Sequence, residues 1–168
     1  PRYALLRAGG ALGRGVGPLL VARPDRPFDP AAAAVAIPGE HTTAHLLFSL
    51  AYPRAARKRF LLFSEIERAV LSGEVDAGVL IHEGRFTYQA KGLARVADLG
   101  ERWEAETGAP IPLGGIVARR GLGPETARAV DRLVRASAEQ ALAARPLITE
   151  YVRRHAQELD EEVVRRHV

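Results

Sequence analysis

Short apolar segments alternate with helix-like segments in the central part of the chain, and few folds accommodate that order. Three apolar segments, at residues 33–37, 60–63 and 75–81, have the length and the branched side chains of buried strands. Residues 42–52 and 64–73 lie between them and carry the end signals of helices. The alternation predicts an α/β fold in which helices cover a parallel sheet.

Capping residues mark the ends of the predicted helices. Thr42 and Thr43 suit the first turn of one helix, which Tyr52 and the following proline would end. Residues 64–67 match a capping box, and Gly73 suits the position just after the end of that helix. Further elements are predicted as strands at residues 3–7, 18–22 and 114–118, and as helices at residues 98–108, from Pro124 and again from Pro146.

Two stretches rich in glycine or proline interrupt this pattern. Residues 9–17 join two predicted strands and match neither a dinucleotide fingerprint, which must open a helix, nor a P-loop, which needs Gly-Lys followed by Ser or Thr. They predict a tight connection, with direct ligand binding as the alternative. Residues 23–30 contain three prolines and two aspartates and predict a hinge between two lobes.

The composition is that of an ordinary globular protein, with 168 residues of which 47% are hydrophobic and 26% charged. The longest apolar runs fall short of the roughly 20 residues needed to cross a bilayer, so no membrane interaction is expected. Although the formal charge is +4, arginine alternates with glutamate, and only residues 54–59 form a strongly basic run. No nucleic acid partner is therefore expected.

The sequence contains neither cysteine nor methionine. Without cysteine there are no disulfides, thiolate metal ligands or cysteine nucleophile, and with no secretory leader visible a cytoplasmic location is expected. Abundant Arg, Ala and Pro together with the missing Cys and Met indicate a thermophile. The first residues read like the middle of a domain, so we expect a fragment that lacks N- and C-terminal parts.

His82 is the first candidate for a catalytic residue. It follows the apolar run at residues 75–81, and ligands of open α/β sheets bind outside the carboxyl ends of strands. Histidine titrates near neutral pH, so it can accept a proton without a metal, whereas the alternative is a hydrogen-bonded structural histidine. Glu83 either orients the His82 ring or lies in solvent, and Arg85 either holds a substrate carboxylate or pairs with Glu83.

A second candidate site lies where residues 39–45 cross from a strand end into a helix. Free amides at the helix N-terminus attract anions, and the hydroxyls of Thr42 and Thr43 can add hydrogen bonds. Simple capping of the helix is the alternative. His41 and His45 have the i, i+4 spacing of a metal site, but no third ligand is evident, so no metal is expected.

Four segments carry a resemblance to a known family: GRGVGPL at residues 13–19, IPG with TTA at 37–44, DAGVLIHEGR at 76–85 and PLGGI at 112–116. Together and in this order they resemble the 1,4-dihydroxy-6-naphthoate synthases of the futalosine route to menaquinone. The resemblance covers nearly the whole chain.

The resemblance implies an α/β fold like that of the type II periplasmic binding proteins, with two lobes and a central cleft. Residues 1–27 and 114–168 would form parts of the first, large lobe, and residues 28–113 the second, small lobe. The proline-rich stretch after Ala22 would be the outward crossing of the hinge and residues 110–115 the return. The family has an earlier stretch and a C-terminal tail that this sequence is expected to lack.

The implied reaction is a cofactor-independent carbon–carbon cleavage that converts cyclic dehypoxanthinylfutalosine to 1,4-dihydroxy-6-naphthoate and dihydroxyacetone. His82 would be the general base, and Thr43 with Ala44 would contact the substrate, as Thr42, Glu83 and Arg85 could. The expected partner is a small anionic molecule, and a homodimer is left open. Two alternatives remain: a binding protein for a small carboxylate on the same fold, and a chorismate dehydratase of the same pathway.

Overall fold

The computed structural model describes residues 1–82, 84–144, 150 and 154. Within them the strands are β1 (Tyr3–Leu5), β2 (Ala11–Gly13), β3 (Leu19–Ala22), β4 (Val35–Ile37), β5 (Lys58–Phe60), β6 (Ala77–Leu80), β7 (Ala94–Asp98), β8 (Ile111–Gly114) and β9 (Val117–Arg119). The α-helices are α1 (Thr43–Ala51), α2 (Phe63–Leu71), α3 (Gly84–Thr87), α4 (Leu99–Thr107) and α5 (Pro124–Ala143). The helix expected to restart at Pro146 lies outside the described residues.

The chain divides into two compact units, one formed by Pro1–Ala11 and Gly114–Val168 and the other by Leu12–Leu113. The expected first lobe extended to residue 27, but residues 12–27 belong to the second unit. The reason is that β3 lies inside the sheet of that unit, hydrogen-bonded to strands on both sides. The prolines of residues 23–30 therefore turn the chain between β3 and β4 within one unit and do not mark a crossing.

The second unit is built on a five-stranded sheet with the order β5-β4-β6-β3-β7. β4 is parallel to both β5 and β6, as the alternation of strands and helices predicts. β3, which was expected in the first lobe, and β7, which was not predicted, complete the sheet, and β3 runs antiparallel to both β6 and β7. No helix precedes β3 among the described residues, so no βαβ connection requires β3 to run parallel to its neighbours in the sheet.

Two hydrophobic clusters cover the two faces of this sheet, and successive residues of β3 alternate between them. Leu20 belongs to the cluster that includes residues of α1 and α4, and Leu19 to the cluster that includes residues of α2. Gly78 in β6 lets α2 approach closely, because a Cβ there would lie 2.5 Å from Cγ2 of Ile66. The sheet of the second unit is thus enclosed by helices on both faces.

The predicted helix ends are confirmed at α1 and α4. Thr42 caps α1 by accepting a hydrogen bond from the His45 N–H at 3.2 Å. Asp98 caps α4, which ends at Gly108 with a left-handed φ of 66°. Each of these ends depends on a few neighbouring residues and is therefore visible in the sequence.

The capping box expected at residues 64–67 is wrong. The N-cap of α2 is Leu62, which has no side chain able to cap, and Ser64 lies inside the helix. The helix begins earlier than expected because the strand before it is Lys58–Phe60 and not residues 60–63. Gly73 does follow the helix end with a left-handed φ of 79°, as predicted.

The first unit contains β1 paired antiparallel with β9, and the long helix α5. Pro124 occupies the first turn of α5, where a missing N–H has no cost. The Asp131 carboxylate on α5 accepts hydrogen bonds from the backbone N–H groups of Arg7 and Ala8 at 2.7 and 3.0 Å. This carboxylate ties the chain after β1 to the helix.

Two glycines meet where the loop before β3 touches the start of α4. A Cβ on Gly17 would lie 2.3 Å from the Cα of Gly100 and 2.8 Å from Cδ1 of Ile111. We expect Gly17→Ala to lower the free energy of unfolding by about 1–3 kcal/mol in urea denaturation, because backbone must move to admit a methyl group. Gly114→Ala is the control, since a Cβ there meets nothing within 4 Å. Equal stability of the two variants would contradict this close contact.

Candidate functional site

The candidate site lies along one edge of the five-stranded sheet, at the carboxyl ends of three adjacent parallel strands. β4 leads to Thr42 at the start of α1, β5 leads to Phe63 at the start of α2, and β6 leads to His82. Parallel strands place their carboxyl ends at the same edge, which is where open α/β sheets bind ligands. The two candidate segments found in the sequence therefore share one edge of one unit.

His82 is exposed and has a left-handed backbone, with φ of 54°. Among the described residues it is the only one other than glycine with a positive φ. Such a conformation costs of order 1–3 kcal/mol and persists only where the surroundings impose it, which is typical of functional positions. The imidazole stands edge-on to the Phe63 ring at a centroid distance of 5.5 Å. The side chain is therefore accessible from solvent and held on one side by an aromatic ring.

The N-terminus of α1 forms the second part of the site. The Thr42 hydroxyl donates to the Gly39 carbonyl at 2.7 Å, and the Thr43 hydroxyl donates to the Pro112 carbonyl at 2.5 Å. Thr43 and Ala44 are the first two helical residues, whose N–H groups have no acceptor within the helix. Thr42 thus serves as a cap, while the first turn retains the anion-attracting character of a helix N-terminus.

Arg85 has partners that the sequence did not reveal. Its guanidinium donates to the Gly17 carbonyl and to the Asp98 carboxylate, each at 2.6 Å. The Arg85 side chain is 14% exposed and that of Asp98 only 1%, so this ion pair is buried. The other Asp98 oxygen accepts hydrogen bonds from the N–H groups of Gly100 and Glu101. Asp98 therefore links Arg85 to the first turn of α4.

The structure places some of the predicted site residues at the same edge of the sheet and directs another into the interior of the unit. His82 and Thr43 follow neighbouring parallel strands, whereas the Arg85 guanidinium is directed towards Gly17 and Asp98. Asp98 was predicted as a helix start but not as the partner of Arg85, and its only signal was its capping position. Glu83 lies outside the described residues.

His45 takes part in a separate polar cluster on α1. Its Nδ1 lies 2.6 Å from the Glu40 carbonyl oxygen, and its Nε2 lies 3.2 Å from Lys58 Nζ. Lys58 also donates to the Ser49 hydroxyl at 2.8 Å. Among the described residues, no group of three His, Cys, Asp or Glu side chains is placed to hold a metal ion. The observed partners give His45 a role in fixing α1 against β5.

None of the helices in the described part of the chain is long and apolar enough to span a bilayer.

Comparison with solved structures defines the class of fold. An ABC transporter protein from Parabacteroides distasonis is similar over 99% of this chain and 60% of its own, with a TM-score of 0.55 and 16% identity. The aliphatic sulphonate binding protein SsuA from Escherichia coli is similar over 84% of this chain and 53% of its own, with a TM-score of 0.53 and 14% identity. The expected α/β fold of the periplasmic binding proteins is confirmed.

The chain belongs to the menaquinone biosynthesis family, whose model matches residues 1–168. A 1,4-dihydroxy-6-naphthoate synthase of Thermus thermophilus is 51% identical over 99% of this chain, and one of Streptomyces coelicolor is 47% identical over 99%. Protein AF1704 from Archaeoglobus fulgidus is 37% identical, with a TM-score of 0.83, over 99% of this chain and 62% of its own.

The chain spans about three fifths of the length of the curated relatives it matches, 61% of the Thermus protein and 60% of the Streptomyces protein. The family resemblance stated from the four sequence segments is confirmed.

Proposed function

We propose that the protein to which this chain belongs is a lyase that converts cyclic dehypoxanthinylfutalosine to 1,4-dihydroxy-6-naphthoate and dihydroxyacetone. The observation that carries the proposal is the exposed, left-handed His82 at the sheet edge where α1 also begins. The names of the two curated relatives and the family match support the same assignment.

His82 is the general base in this proposal. Its imidazole accepts a proton from the substrate, the sugar-derived ring opens, and the carbon–carbon bond to the three-carbon fragment breaks as the bicyclic ring becomes aromatic. The imidazolium then returns the proton to the carbon of the departing fragment, which leaves as dihydroxyacetone. Because proton transfer and the gain of aromaticity suffice for these steps, the proposed reaction uses no cofactor. The N-terminus of α1, with Thr43 and Ala44, binds a carboxylate or a polarised oxygen of the substrate.

A binding protein for a small carboxylate is the first alternative, because its relatives by fold include binding proteins. Such a protein needs the helix N-terminus but has no use for an exposed imidazole on a left-handed backbone at the same edge of the sheet. A chorismate dehydratase of the same pathway is the second alternative. The residues Ile81-His82-Glu83-Gly84-Arg85 favour the naphthoate synthase.

Turnover by the full-length protein separates these three functions. The protein is mixed with cyclic dehypoxanthinylfutalosine, and naphthoate absorbance is followed over time. The lyase forms naphthoate, whereas a binding protein leaves the substrate unchanged at any protein concentration. A dehydratase instead consumes chorismate. Failure of pure, folded protein to form naphthoate would contradict the proposed function.

The proposed contact of Thr43 leads to a prediction for ligand affinity. We expect Thr43→Val to weaken the binding of 1,4-dihydroxy-6-naphthoate by about 2- to 10-fold in calorimetry, because the valine loses the neutral hydrogen bond to Pro112 that fixes the first turn of α1, and such a bond contributes about 0.5–1.5 kcal/mol. Thr43→Ser is the matched control, since it keeps the hydroxyl that lies 2.5 Å from the Pro112 carbonyl. Wild-type affinity of the valine variant would show that the Thr43 hydroxyl does not contribute to ligand binding.

A further inference from the structure

Arg85 is connected to the backbone of His82 through a short turn. Its N–H donates to the His82 carbonyl at 3.2 Å, and α3 begins at the preceding residue, Gly84. The carbonyl of a left-handed residue points away from the direction that a strand or helix would give it. The position of Arg85 therefore bears directly on the conformation of His82.

The far end of the Arg85 side chain reaches a rigid anchor. Its two terminal nitrogens donate to the Gly17 carbonyl and to the Asp98 carboxylate. Gly17 touches Gly100 with no room for a side chain, and the Leu99 N–H donates to the Pro18 carbonyl at 3.0 Å. Both acceptors of the guanidinium are thus fixed to the start of α4 and cannot follow a moving arginine.

We propose that Arg85 is a positioning residue, which holds His82 in its left-handed conformation by joining the His82 carbonyl to the anchor formed by Gly17 and Asp98. This inference rests on the proposed role of His82 as the base. It replaces the expected substrate contact of Arg85, because the terminal nitrogens of the guanidinium bind inside the protein and its side chain is 14% exposed. A backbone conformation such as the left-handed one of His82 persists only where surrounding contacts impose it.

The planar guanidinium group of arginine is important for this positioning role. Two acceptors on different segments, Gly17 and Asp98, each receive one hydrogen bond, whereas a lysine ammonium is a single point charge on a flexible stem. We therefore expect Arg85→Lys to retain the charge pair with Asp98 and much of the stability, but to lose the fixed geometry of the turn.

The test compares Arg85→Lys, Arg85→Ala and the control Arg59→Ala in the full-length protein. Arg59 forms an exposed pair with Glu74, with side-chain exposures of 48% and 45%, so it controls for the loss of one arginine. For Arg85→Lys we expect kcat to fall about 10-fold or more with KM within about 2-fold, because a displaced base impairs the chemical step more than binding. Arg59→Ala should match the wild type.

Nuclear magnetic resonance of the His82 ring provides a readout that does not depend on turnover. The Phe63 ring shifts the His82 ring protons in the wild type, because the centroids lie 5.5 Å apart. In folded Arg85→Lys these shifts should move towards those of a free histidine, and Arg85→Ala should show the larger change. In Arg59→Ala they should stay in place.

Unchanged His82 shifts in the folded Arg85 variants would overturn the positioning role, whether or not the protein is a lyase. So would a large rise in KM with unchanged kcat, which indicates direct contact with substrate. Moved shifts in a protein that forms no naphthoate would instead support the positioning role and contradict the proposed function.

Discussion

Replacement of His82 by asparagine should reduce turnover by about 10²- to 10⁴-fold while leaving the fold intact, because a positioned general base contributes about that factor. Asparagine is the appropriate substitute, since it tolerates the left-handed conformation that His82 adopts but cannot accept the proton. Steady-state rates with cyclic dehypoxanthinylfutalosine measure the effect, and circular dichroism establishes that the variant is folded.

The matched control for this variant is Gly92→Asn. Gly92 also has a left-handed φ, of 84°, and a Cβ there meets nothing within 4 Å. This control places an asparagine in the same backbone conformation away from the site and should keep wild-type turnover. If His82→Asn also kept a wild-type kcat, His82 would not be the base.

Replacement of Asp98 by alanine should have the largest effect on stability. The carboxylate is buried, pairs with Arg85 and caps α4 through the N–H groups of Gly100 and Glu101. Removing one partner of a buried ion pair leaves the other charge uncompensated, at a cost of about 3–5 kcal/mol. That is a large part of the 5–15 kcal/mol that is typical for a whole protein. Urea denaturation measures the difference.

A second variant separates the helix capping by Asp98 from its charge pair with Arg85, and a third variant controls for the loss of a carboxylate. Asp98→Asn keeps an oxygen that can cap α4 but loses the charge facing Arg85, so we expect a stability between those of the wild type and Asp98→Ala. Glu74→Ala removes an exposed carboxylate paired with Arg59 and should change stability by about 0–1 kcal/mol. If Asp98→Ala behaved like Glu74→Ala, the buried pair would not stabilise the fold.

Features that depend on a few neighbouring residues are predictable from this sequence. Thr42 and Asp98 cap helices where the sequence indicates, and Gly73 and Gly108 follow helix ends in the left-handed conformation that glycine adopts easily. The apolar run at residues 75–81, which contains β6, likewise predicts that His82 lies at the edge of a sheet. In each case the responsible side chains or backbone groups lie within about five residues of one another.

Features that depend on distant parts of the chain are not predictable in this way. The direction of β3 follows from its pairing with β6 and β7, and nothing in its four apolar residues indicates an antiparallel partner. β7 is not among the predicted strands, and within its sequence ARVAD the charged residues Arg95 and Asp98 interrupt the apolar ones. The pair of Arg85 and Asp98 forms only because β7 lies beside β3 and places Asp98 near the turn after His82.

The most direct test of the account is a crystal structure of the full-length protein with 1,4-dihydroxy-6-naphthoate bound. We expect a ring nitrogen of His82 within hydrogen-bond distance of the ligand and the ligand carboxylate at the N-terminus of α1, next to Thr43 and Ala44. A ligand bound away from this edge of the sheet, with His82 in contact only with solvent and Phe63, would contradict it.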